Sequence, residues 1–217
     1  TEKHVFQNGT WSKRGVDSQA AQLAMFSKDY ALFRTEVYEG WASTSNSTQT
    51  AITRRVTEIA FPTTEGIKFY NSERDFNDDV QFSSRAVENV RQLKSETEAF
   101  YKAKLKTADL TTKPLEVMRG VKGHVEAYTP GAAEAWTKDK YTVDRFGKMM
   151  TSSSLNGGYS ALKANVTYDD VLWSWESAQG KPGWPADKVL KGKKEVVLLG
   201  ARVKKVDVEH RYDEKQR

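Results

Sequence analysis

The sequence predicts an α+β fold, mainly helical, with a small antiparallel β element near the C-terminus. Three observations carry that expectation. Leu23, Phe26, Tyr30, Phe33 and Val37 recur at spacings of three and four, one face of an α-helix. Phe76, Val80, Val87, Val90 and Tyr101 trace a longer stripe of the same kind. At the end of the chain the period changes: Val206, Val208, His210 and Tyr212 alternate with Lys205, Asp207, Glu209 and Arg211, the pattern of a strand with one wet face.

Taken in order, His4-Val5-Phe6 is a short strand candidate. The first helix is expected over 18–39, with Asp17 or Ser18 able to cap it and Gly40 able to end it. The stretch from Trp41 to Thr48 is expected as a loop, because its small polar side chains bond to nearby backbone. Residues 51–61 are open: Ile52, Val56 and Ile59 have helical spacing, while the β-branched content suits a strand. A long helix is expected over 73–106. Ser72 and Asp75 can form a capping box, acids fill its first turns, and Lys94, Glu98 and Lys102 make a ladder on another face.

Pro114 is well placed to open a helix over 114–127, with Leu115, Met118, Val121 and Val125 inward. Thr129-Pro130 reads as the start of another over 130–149, burying Ala133, Trp136, Val143, Phe146 and Met150. A loop over 151–158 and a short helix over 169–178 follow. Glu195-Val-Val-Leu-Leu199 is a buried strand candidate, with Gly200-Ala201 a turn or bulge before the last strand. The length suits a single domain, 1–217, with extended N- and C-terminal arms.

Composition narrows the chemistry. The chain has no cysteine, which removes disulfides, thiolate-held zinc, iron–sulfur clusters and thiol nucleophiles. Its three histidines, His4, His124 and His210, lie far apart, without the spacing of a local metal motif. No apolar run approaches the ~18 residues that span a bilayer, and no secretory signal is visible. Leu, Ile, Val and Phe together make just under a fifth of the chain, a modest core, offset by 11% aromatic residues and a net charge of only +5.

The motifs that could signal catalysis fail on inspection. Tyr159-Ser-Ala-Leu-Lys163 has the Tyr-x-x-x-Lys spacing of short-chain dehydrogenases, but no glycine-rich dinucleotide turn follows an N-terminal strand. Asp75-Phe-Asn-Asp-Asp79 opens like a calcium loop, yet Val80 and Ala86 stand where Gly and Glu are needed. Gly157-Gly158 is not followed by the Lys-Ser or Lys-Thr of a phosphate loop. The sequence therefore points away from an enzyme and to no catalytic residue, metal or cofactor.

Two features point to binding. Between Asp187 and Arg217 ten Lys or Arg stand against six Asp or Glu. Lys188, Lys191, Lys193, Lys194, Arg202, Lys204 and Lys205 are candidate phosphate contacts, with a solvated strand edge as the plainer explanation. Trp173, Trp175 and Trp184, with Val206 and Val208, are candidate partner contacts, since tryptophan is enriched both in hot spots and in cores. The expectation is a structural subunit of a larger assembly, a virion component or an accessory subunit of a multi-protein complex, whose partners are other protein subunits, like or unlike. The alternatives are a nucleic-acid-binding protein using the basic C-terminal segment, and an enzyme or ligand-binding domain whose site is built from residues distant in sequence.

Overall fold

A computed structural model describes residues 6–7, 10–11, 29–43, 48–62, 84–151, 158–184 and 194–212. Their elements are β1 (Phe6–Gln7), β2 (Thr10–Trp11), α1 (Tyr30–Ser43), α2 (Thr48–Ala60), α3 (Ser84–Leu105), β3 (Pro114–Lys122), β4 (Glu134–Thr137), α4 (Lys140–Thr151), β5 (Gly158–Thr167), β6 (Val171–Ser174), α5 (Trp175–Ala178), β7 (Glu195–Leu198) and β8 (Asp207–Tyr212). The chain divides into two compact units. One holds residues 1–95 and 180–186; the other holds 96–179 and 187–217.

The described elements of the first unit are the short β1–β2 pair, α1, α2 and the first half of α3. Asp29 caps α1, its carboxylate accepting the Leu32 N–H at 2.9 Å. Phe33, Val37 and Tyr38 form the buried stripe of α1, and the Tyr38 ring meets Trp184 edge-on at 5.4 Å. Residues 51–60 are helical, within α2, which buries Val56 and Ala60. Helix α1 continues through Gly40 to Ser43 instead of ending there. Asp17, Ser18, Leu23, Phe26 and residues 72–83, on which the early helix starts were read, lie outside the described residues, as do His4 and Val5.

The second unit corrects the expected fold class. A six-stranded antiparallel sheet, ordered β6-β7-β4-β3-β5-β8, forms its centre. The β structure is not a small C-terminal addition to a mainly helical chain; strands make up 28% of the described residues. The helix expected over 114–127 is instead β3, and the segment expected as a helix over 130–149 contains β4 before α4. The short helix expected over 169–178 is a turn of 3₁₀-helix at 168–170, then β6, then the four-residue α5.

Partial burial on both sides contributes to the misreading: Pro114, Glu116 and Lys122 are exposed, but from Met118 to Val121 neither face is fully wet. Residues directly opposite each other in an antiparallel ladder share a face. One face carries Leu115, Val117, Leu162, Ala164, Val166, Trp136, Val196, Leu198 and Val171, packed with Tyr101, Phe100 and Leu105 of α3. The other face carries Gly120 opposite Ala161, and α4 lies on it. A strand covered on both faces loses the polar alternation that marks a half-wet one. Met118 and Val121 then mimic a helical spacing around Leu115.

Gly120 and Gly147 let α4 sit close to the sheet. A Cβ on Gly120 would stand 2.5 Å from the Val143 carbonyl oxygen, and one on Gly147 would stand 2.1 Å from the Tyr159 ring. Asp139 caps α4, accepting the Thr142 N–H at 3.1 Å and its hydroxyl at 2.8 Å. Gly120→Ala is expected to lower stability by about 1–3 kcal/mol, because the clash is with helix backbone that cannot rotate away. Urea unfolding checks this, with Gly180→Ala as comparison: Gly180 has open space but φ +74°, so its cost is local to the turn.

Candidate functional site

The two outer strands of the sheet are built differently. β6 has four residues, all buried, and its pairing with β7 shifts register between Val171 and Trp173. Ser174 and Ser177 cap each other at the start of α5, the Ser174 hydroxyl accepting the Ser177 N–H at 3.1 Å. The Tyr101 hydroxyl lies 2.6 Å from Ser174 Oγ and 3.3 Å from Glu176 Oε2. Lys104 Nζ reaches Glu176 at 2.9 Å and Lys138 Nζ at 3.7 Å. Burial alone would push the Glu176 carboxyl up, but the two lysines outweigh it and hold the group below the usual carboxylate range. Burial pushes the Tyr101 hydroxyl above its ordinary range, so it stays a neutral donor. This polar knot closes the β6 side of the sheet.

β8 is longer and regular. Its six residues pair with β5 without a shift, from Asp207 opposite Lys163 to Tyr212 opposite Gly158. It is fastened from both faces. On the α4 face, Arg211 binds Asp144 through Nη1, and Glu209 through Nε at 3.1 Å and Nη2 at 3.0 Å. Tyr159 donates to the same Asp144 oxygen at 2.8 Å. Burial pushes the Tyr159 hydroxyl up, with Asp144 adding to it, and the Arg211 bond holds the Glu209 carboxyl low. On the core face, Val206 and Val208 pack at the rim of the apolar cluster. His210 Nε2 lies 3.0 Å from the Val125 carbonyl oxygen, and its ring stacks on His124 at 4.6 Å. Ser160 completes that corner, accepting the Val125 N–H at 3.0 Å and donating to Gly123 O at 2.8 Å.

β8 is thus held firmly on its inner side while its outer main-chain edge meets no described strand. Asp207, Glu209 and His210 are exposed. Such an edge offers a row of backbone donors and acceptors that another strand can complete. Among the described residues, no three His, Asp or Glu side chains gather closely enough to hold a metal ion, and no helix is long and apolar enough to cross a membrane.

The residues singled out from sequence fall as follows. Trp173 is fully buried in β6, Trp175 is half-buried at the start of α5, and Trp184 packs on Tyr38 in the helical unit. Val206 and Val208 share the core face at the β8 end of the sheet. Lys188, Lys191 and Lys193 lie outside the described residues. Lys194 is exposed in a turn with φ +44°, its carbonyl accepting the Lys138 N–H at 3.3 Å. Arg202 binds Asp169 at 2.8 Å and Lys205 binds Asp207 at 3.0 Å, so two of the candidate phosphate contacts are already partnered by acids. Lys204 is exposed.

Tyr159 and Lys163 do not form the dehydrogenase pair. That pairing needs a helix, where four residues make one turn. On β5 the same spacing separates them by roughly 14 Å; Tyr159 binds Asp144, while Lys163 pairs with Glu116 at 2.8 Å. The Arg211–Asp144–Tyr159 cluster was not legible in advance. Its members are 67 and 15 residues apart, and the only local signal was the alternation of β8.

No protein-family model matches the chain, and no curated protein or solved structure is significantly similar to it.

The Glu176 knot gives a pH-dependent stability with a definite sign. A carboxyl whose folded pKa is lowered stabilises the fold at neutral pH, and that contribution is lost as pH falls through the folded value. Glu176→Gln is expected to destabilise the protein at pH 7 by less than about 1 kcal/mol, since the site is part-exposed and screened. The difference from the unaltered chain should shrink as the pH falls below the carboxylate range. Urea titrations at neutral and acidic pH measure it.

Proposed function

We propose that this chain is a non-enzymatic structural subunit of a larger protein assembly, such as a virion component or an accessory subunit of a multi-protein complex. The observation that supports this reading is the contrast between the two sheet edges. β6 is short, shifted in register and buried, as edges are when pairing is to be avoided; β8 is regular in register, partly exposed and pinned in place by Arg211 and His210. Rigid presentation of an open edge lowers the ordering cost of adding a partner strand. The modest aliphatic content agrees with a chain that completes its burial against neighbours.

A nucleic-acid role through the basic C-terminal segment is the second reading. Lys194 and Lys204, both exposed, favour it; the acid partners of Arg202 and Lys205 count against it. Light scattering after size exclusion, with absorbance read at 260 and 280 nm, separates the two. The assembly reading predicts a species well above 24.5 kDa with a protein-like absorbance ratio. A 24.5 kDa monomer overturns self-assembly and leaves only an unlike partner, and excess 260 nm absorbance lost at high salt replaces the assembly reading with the second one.

A further inference from the structure

We propose that the outer face of α4 is a binding surface for single-stranded nucleic acid, with Tyr141 as a stacking platform for a base and Lys140 and Arg145 as phosphate contacts. This surface is separate from the β8 edge and does not depend on the assembly reading.

The helix carries Lys140, Arg145 and Lys148 against a single acid, Asp144. That acid is turned inward, held by Arg211 and by the Tyr159 hydroxyl at 2.8 Å. Asp139, just before the helix, is occupied in capping Thr142. The acids on the sheet face beneath α4 are matched as well: Glu116 by Lys163 at 2.8 Å, Asp207 by Lys205 at 3.0 Å and Glu209 by Arg211 at 3.0 Å. Lys140 and Arg145 are exposed, and neither has an acid within ion-pair distance among the described residues. Arg202 and Lys205, in the C-terminal segment, each have one.

Tyr141 supplies what charge alone lacks. It is 72% exposed, against 42% for Leu32 and 40% for Ile59, the other exposed large apolar side chains among the described residues. Four residues before Arg145, it shares that residue's face of the helix. Lys140 Nζ lies 5.4 Å from its ring centroid, over one side of the ring. A base stacked on the other side then has its phosphate beside two cations. An aromatic ring set among basic side chains is the recurring device for holding single strands, because every base has a stacking face. A duplex hides those faces and an acidic peptide has none, so the ring selects a single strand. The close seat on Gly120 and the Asp139 cap fix the helix before any ligand arrives, which lowers the ordering cost of binding.

Fluorescence anisotropy of a labelled oligothymidylate mixed with the full chain tests this. Affinity should fall about ten-fold between about 50 and about 200 mM salt, the slope of two or three phosphate contacts on a single strand. Tyr141→Ala should weaken binding about five-fold or more by removing one stacked base, while Tyr141→Phe should bind like the unaltered chain. Arg145→Glu should weaken binding and flatten its salt dependence. Lys204→Glu should change it less than about two-fold, since a distant surface charge is screened. Unchanged urea midpoints confirm that these exposed substitutions leave the fold intact.

No binding of the oligothymidylate at low salt overturns the proposal. So does binding that is unmoved by Arg145→Glu, or that Lys204→Glu alone abolishes, which returns phosphate contact to the C-terminal segment. A silent Tyr141→Ala overturns the stacking platform. Displacement by polyglutamate as effective as by unlabelled oligothymidylate overturns the nucleic-acid assignment and leaves the face to an acidic protein.

Discussion

The ladder between β3 and β5 runs for nine residue pairs, from Pro114 opposite Thr167 to Lys122 opposite Tyr159. The rest of the sheet unit is built outward from it. Its odd positions on β3, Leu115 and Val117, found the apolar cluster shared with α3; its even position Gly120 gives α4 a seat on the opposite face. β4 and β8 attach to its two outer sides, and β7 and β6 follow from β4. A slip of one residue would turn Leu115, Val117 and Leu162 away from their cluster and drive larger side chains into α4.

Polar groups then decide what each end of the sheet can do. Below the apolar cluster, Glu134 is nearly fully buried, yet it is held by the Tyr128 hydroxyl, the Gly131 N–H at 3.3 Å and Arg119 at 3.6 Å. A buried carboxylate with that many donors fixes the 128–134 segment leading into β4. The Glu176 knot finishes the β6 side. The Arg211 and His210 contacts fasten β8 from opposite faces, and no described strand pairs with its outer edge.

The sequence reading succeeded at β8, where one face meets water, and at β7, a short unbroken apolar run. The period-two run from Asp207 to Tyr212 was legible because Asp207 and Glu209 are wet while Val208 is drawn into the core rim. Val196, Val197 and Leu198 were legible by their unbroken β-branched and aliphatic run. β3 was not, because Pro114 resembles a first-turn residue and Arg119 and Gly120 interrupt the alternation of Leu115, Val117 and Val121; in β5, residues 158–162 are buried on both faces, so only 163–166 alternate. The two strands also pair with each other across more than thirty residues of sequence, so local propensity carried no record of that pairing. Gly120, inside the span expected as a helix, is the close approach of a helix to a strand. The candidate edge was visible as a strand, but its fastening by Asp144, Tyr159 and Val125 depended on contacts that only folding creates.

Amide hydrogen exchange measured at low and high protein concentration tests the account most directly. Amides of β3 and β5 should be among the slowest at both concentrations, because they open only with the whole sheet. Amides of β8 should be less protected in dilute protein and gain protection as concentration rises, when the outer edge acquires its partner. Exchange in β8 that is independent of concentration would contradict the open-edge account, and rapid exchange in β3 and β5 would contradict the ladder on which it rests.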